Sequence, residues 1–291
     1  MSRMLPSLFS WQRLAGNRRL FLFCLLLFVV SAFFSFWMFF PADVLQRRLL
    51  QEVSQQTGLE MRGRNAAMLF PVGVKLDLSI YPDVSELADL ELTGLQVSPV
   101  WRSLFSDSQA VNLTGTIAGG TVDVDAGQSG QIDLKFKDIS LLTLQQQDVP
   151  YRISGQLTGQ LAGENISENM NGRGTFSLYL RDARVLGMEK IGLPANFSAG
   201  VLQLKGKFDR RRFSLEEVVL TGGDLELSGG GNILLGETAE QTRLNLNVRL
   251  HPTSTTPDSL RDLLNMTGIR PTVDGSYLLR VGGTLAKPVI R

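Results

Sequence analysis

The sequence predicts a mainly β protein: a single N-terminal transmembrane helix, then a large, curved, mostly antiparallel β-sheet domain with a few short helices. Three observations predict it. Residues 20–40 are an uncharged apolar run. From residue 70 onward, apolar and polar residues alternate with period two in a dozen or so short segments. Gly, Asn and Asp punctuate those segments, so short turns link neighbouring strands into an antiparallel sheet with one dry and one wet face.

The apolar run, LFLFCLLLFVVSAFFSFWMFF, is long enough to cross a bilayer, since a helix rises about 1.5 Å per residue and the hydrocarbon core is about 30 Å thick. Ser31 and Ser35 return their hydroxyl protons to backbone carbonyls one turn back, and Trp37 suits the headgroup interface. Residues 1–19 carry Arg3, Arg13, Arg18 and Arg19 and no acid, so the positive-inside rule puts them in the cytoplasm and residues 41 onward outside it. A cleaved signal peptide is the competing reading. The run is longer than a usual apolar signal region and ends in Phe-Trp-Met-Phe-Phe, which offers no small-residue cleavage site. A buried core helix needs no such uncharged length. The expected layout is cytoplasmic 1–19, signal anchor 20–40, amphipathic helix 41–58 and β-rich domain 59–291.

All 28 acids and 25 of the 29 basic residues follow residue 40, so the outer part has a net charge of −3. That balance gives nucleic acid no basic face to bind. The single cysteine, Cys24, lies in the apolar run, so the outer domain has neither disulfide nor thiolate metal site.

After the anchor, Asp43 caps a helix in which Val44, Leu45, Leu49 and Val53 share a face, and Thr57-Gly58 ends it. From Phe70 the period becomes two: Val72, Val74, Leu76, Leu78 and Ile80 alternate with polar residues. Later runs repeat this, the most regular being Ile132-Asp-Leu134-Lys-Phe136 and Leu244-Asn-Leu246-Asn-Val248-Arg-Leu250. Gly119-Gly120, Gly222-Gly223-Asp224 and Gly229-Gly230-Gly231-Asn232 read as punctuation between strands. Two short helices interrupt the pattern. One covers 98–105, with Ser98 capping, Pro99 at the first helical position, and Trp101, Leu104 and Phe105 on its apolar face. The other covers 256–268, with a Thr-Pro opening, Leu260, Leu263 and Leu264 on one side, and Gly268 as stop. Each is placed to plug an end or edge of the sheet. These six apolar residues are the candidate interaction residues.

A search for chemistry finds no catalytic, cofactor-binding or metal-binding constellation. His251 is the only histidine and precedes a proline at the end of an alternating run, which suits a solvated loop. No nucleophile elbow is present, and the glycines at 229–231 lack the Lys-Ser/Thr of a phosphate loop. Glu216-Glu217 and the alternating Asp123 and Asp125 belong to wet strand faces, and Arg210-Arg211-Arg212 reads as a charged hairpin turn.

Several segments in order carry a resemblance: the anchor into Phe40-Pro41-Ala42-Asp43, then Leu69-Phe70-Pro71-Val72-Gly73, and Leu95-Gln-Val-Ser-Pro-Val-Trp-Arg-Ser-Leu104. Asp274-Gly275-Ser276-Tyr277 and Gly283-Thr284-Leu285-Ala286-Lys287-Pro288 follow near the end. Over most of the chain this order resembles the type II secretion system protein N family in its deltaproteobacterial form. The ending also resembles the closing strand of AsmA-like periplasmic proteins, which are implicated in outer-membrane assembly and lipid movement. The resemblance implies a non-enzymatic, single-pass inner-membrane subunit with a periplasmic β domain. Its implied partners are other type II secretion components and the outer-membrane secretin. It transfers no active-site residue and no cofactor. The alternative is a lipid carrier with an apolar groove, since alternation alone does not separate a groove from a filled core.

Overall fold

The computed structural model describes residues 18–39, 42–57, 60–70, 73–82, 88–101, 103, 109–146, 149, 151–166, 172–191, 196–266 and 269–290. Fourteen strands form one open antiparallel sheet whose spatial order is the chain order. They are β1 (Glu60–Leu69), β2 (Gly73–Tyr81), β3 (Leu90–Pro99), β4 (Ala110–Ile117), β5 (Gly120–Gly127), β6 (Ile132–Ser140) and β7 (Arg152–Glu164). Then come β8 (Arg173–Leu186), β9 (Asn196–Asp209), β10 (Arg212–Thr221), β11 (Leu225–Leu234), β12 (Arg243–Pro252), β13 (Tyr277–Gly283) and β14 (Pro288–Ile290). Most connections are short and bring sequential strands together, and the longer one between β12 and β13 also returns the chain to the neighbouring position. The β4–β5 turn is of the short kind: Ala118 and Gly119 both take positive φ, at 48° and 81°, matching the right-handed twist of a two-residue hairpin.

Among the described residues, three α-helices accompany the sheet. Helix α1 (Arg18–Phe39) carries the apolar run. Its described apolar side chains, from Leu22 to Val30, are all exposed. Among the described residues no helix is long and apolar enough to cross a membrane; the side chains described on α1 are those at 22–31 and 35. Helix α2 (Ala42–Thr57) packs on β1. Helix α3 (Asp258–Met266) sits between β12 and β13.

Several sequence expectations change. Strand β1 was not foreseen, because Glu-Met-Arg-Gly-Arg-Asn-Ala-Ala-Met-Leu does not alternate; its pairing with β2 and its cover by α2 make it a strand. The glycines at 229–231 are inside β11 and not in a turn. The segment 98–105 is not a helix from its first residue: Ser98 and Pro99 end β3, paired with Asn112 and Val111. His251 lies in β12, exposed and opposite Glu226, and not in a loop. On α2, Val44 is 49% exposed, whereas Gln46 and Leu50 meet the sheet at Gly63. The Leu45, Leu49 and Val53 side chains lie outside the described residues.

Candidate functional site: the apolar face of the sheet

Antiparallel register brings one face of the meander into continuous rows. One row crosses all fourteen strands. It starts Met68, Val74, Val97, Leu113, Val124, Leu134, Leu161 and continues through Phe176, Gly206, Leu215 and Gly231 to Leu246, Val281 and Ile290. No member is polar. At about 4.8 Å between strands the row is roughly 60 Å long. A parallel row runs from Gly115 through Val122, Phe136, Gly159 and Leu178 to Leu279.

In each row a glycine stands opposite a phenylalanine, for a packing reason. A Cβ on Gly159 would lie 2.6 Å from Phe136 Cζ, and one on Gly206 would lie 2.6 Å from Phe176 Cζ. Each ring therefore covers the bare backbone opposite it, an arrangement that protects strand glycines from water. Phe176 and Phe208 both meet Phe213, with ring centroids 5.8 and 5.6 Å apart.

Helices cover the two ends of this face. At the β1 end, Gly63 stands opposite Leu78, and the buried Gln46 and half-buried Leu50 of α2 fill the space a side chain would take. At the other end, Leu264 of α3 is buried with Leu250 and Tyr277, and Leu227, Val248 and Leu279 pack around them. Hydrogen bonds fix α3 there. Thr253 and Thr256 donate their hydroxyls to the Asp224 carbonyl, Asp224 Oδ2 accepts the Ser198 N–H at 2.8 Å, and the Tyr277 hydroxyl donates to Asn265 Oδ1 at 2.9 Å.

Between the helices most of the apolar side chains are half-buried. Only a few, among them Leu76, Ile139, Leu180 and Phe208, are buried. Among the described residues, the sheet is met outside strand pairing by α2 on β1, by the turn at residues 141–144 on β7 and by the α3 cluster, and no second sheet lies on this face.

The opposite face is polar, and several of its charges are paired. Lys205 meets Glu217 at 2.9 Å, Lys207 meets Glu216 at 2.6 Å, and Lys135 meets Asp133 at 2.9 Å. Asn112 donates to both Asp123 and Asp125, at 2.9 and 2.8 Å. Bulges interrupt the ladder at polar clasps: the Asp77 carboxylate takes the Gly94 N–H at 2.8 Å and Asn65 Nδ2 at 2.7 Å. The Gly94 bond, then the Asn65 bond, lowers the Asp77 pKa. Among the described residues, no three His, Cys, Asp or Glu side chains are grouped to hold a metal ion.

Of the six sequence-chosen residues, the structure brings Leu264 into a packed cluster, with Leu260 half-buried on the same helix. Trp101 is 45% exposed beside β3. Leu104, Phe105 and the Leu263 side chain lie outside the described residues. Periodicity identified short apolar helix faces but missed the row itself, whose signal was present in the repeated alternation and needed only the register. No protein-family model, curated protein or solved structure matches this chain.

Proposed function

We propose that the chain is a non-enzymatic inner-membrane subunit of a type II secretion system, acting as a scaffold for protein export across the outer membrane. In this reading residues 20–40 are the anchor, residues 1–19 are cytoplasmic and the sheet is periplasmic. Its partners are other inner-membrane components and the secretin. It uses no cofactor. The observation that carries a docking role is the uninterrupted apolar row across fourteen strands, left half-buried between two helical ends. Apolar faces of that extent on a folded protein serve as interaction surfaces. The order of the anchor, Phe70-Pro71-Val72-Gly73 and the Gly-Thr-Leu-Ala-Lys-Pro ending supports the secretion assignment. Deleting the gene tests it: export of secreted enzymes falls if the reading holds, and unchanged export overturns it.

The same half-buried face favours one second reading, a lipid carrier of the AsmA-like kind. The row offers acyl chains a continuous apolar surface, and α2 follows the apolar helix α1 and packs on β1 at its end. Phospholipid retained at fixed stoichiometry by the purified protein supports this reading, and its absence by mass spectrometry counts against it.

A further inference from the structure

The wet face carries a groove of about 430 Å³ over β5–β9, within the usual range for small-ligand sites. Its floor is a small array of hydrogen-bonding side chains set by register: Thr158, Tyr179 and Gln203 stand opposite one another, and Gln160 and Ser177 form the adjoining row. Of the charged groups lining the groove, Lys135 pairs with Asp133, Lys205 pairs with Glu217, and the Asp123 carboxylate accepts the Asn112 amide. Among the described residues, the side chains of Lys137, Gln160, Ser177, Tyr179 and Gln203 have no hydrogen-bond or ion-pair partner, whereas Thr158 Oγ1 accepts the Asp138 N–H at 3.1 Å. Tyr179 is 40% exposed on this face, so its ring is open to a ligand.

We propose that this groove binds an acidic carbohydrate. An exposed aromatic ring among amide and hydroxyl groups offers what a sugar needs: an apolar face to stack on, and donors and acceptors for its hydroxyls. Lys137 supplies the charge preference, because it is the lining cation without an acidic partner among the described residues. A charge-assisted bond to a sugar carboxylate or phosphate is worth more than a neutral one. Nucleic acid is disfavoured by the net charge of the outer part and by the single aromatic platform on the groove floor. The proposal stands independently of the secretion and lipid readings, which use the opposite face.

The test uses full-length protein in an amine-oxide detergent, which carries no sugar headgroup to compete. Trigalacturonate is the acidic probe and maltotriose the neutral one, followed by isothermal titration calorimetry and saturation-transfer NMR. Trigalacturonate binds saturably at one site and maltotriose more weakly. Lys137→Met weakens trigalacturonate about tenfold, the scale of one lost charge-assisted bond. Tyr179→Ala removes saturation transfer to the ring protons, and Lys207→Met, on the same face outside the groove, leaves binding unchanged. Circular dichroism and thermal midpoints confirm that each variant is folded, with Gln203→Ala as a second groove variant should Tyr179→Ala fail to fold. Absence of saturable binding overturns the proposal, as does equal weakening by Lys207→Met or unchanged affinity in the folded groove variants.

Discussion

Gln46 and Gly63 hold helix α2 against the sheet. A Cβ on Gly63 would lie 1.9 Å from Gln46 Nε2 and 2.6 Å from Leu50 Cδ1. The absence of a side chain on β1 is thus what lets α2 approach. Gly63→Val forces the helix away, at a cost of about 1–3 kcal/mol for overpacking. Limited proteolysis checks this: cleavage between α2 and β1 accelerates in the variant while the centre of the sheet stays protected.

Phe208 has a comparable role in the middle of the apolar face. It is buried, stacks on Phe213 at 5.6 Å, and its Cζ would meet a Cβ on Gly174 at 2.6 Å. Phe208→Ala removes the ring and exposes two strand glycines, Gly163 and Gly174. The expected loss is about 3 kcal/mol, at the low end for a buried phenylalanine because one side of the sheet is open. Urea denaturation measures it, and the unfolding midpoint falls.

Leu264 closes the far end of the face. It is buried with Leu250 and Tyr277 under α3. Leu264→Ala costs about 2–3 kcal/mol. It also loosens α3, so binding of an apolar dye to the native protein rises. A variant that loses stability without gaining dye binding would show that α3 does not cover apolar surface.

The Asp274 turn responds to acid. Its carboxylate accepts the Thr272 hydroxyl and, at 2.9 Å, the Ser276 hydroxyl. These bonds, Thr272 first, lower its pKa from 3.8 to about 2. Because the folded value lies below the unfolded one, the contribution to stability is complete above about pH 4. It fades as the pH falls and is gone below about pH 2. Carboxyl-carbon NMR titration should give a midpoint near 2, and Asp274→Asn should remove this part of the acid dependence. A midpoint near 3.8 would contradict the geometry.

How much of this was legible depends on what each residue's neighbours supply. Period-two alternation made β6 and β12 plain, since Ile132, Leu134 and Phe136, or Leu244, Leu246 and Val248, face one side by chain geometry alone. Arg210 at a positive φ of 55° likewise fits the expected charged hairpin turn. Strand β1 was illegible because its apolar contact is made by a missing side chain, Gly63, filled by another element. The glycines at 229–231 misled for a related reason: each reads locally as flexible, yet Gly229 faces Val218 and Val248, and Gly231 faces Leu215 and Leu246. Ser98 and Pro99 carried a helix-start signal that pairing with β4 overrode. The candidate site was half visible. Alternation predicted a dry face, but whether a second layer covers it is a tertiary property.

The most direct test of the central claim, that a membrane-tethered sheet offers its apolar face to the secretion machine, is a pull-down of tagged full-length protein from detergent-solubilised membranes. Mass spectrometry then reads both proteins and lipids. Recovery of inner-membrane secretion subunits or the secretin without stoichiometric lipid is expected, and recovery falls when Val124 and Leu134 in the middle of the row are changed to serine. Stoichiometric phospholipid with no secretion partner would contradict that claim and establish the carrier reading instead.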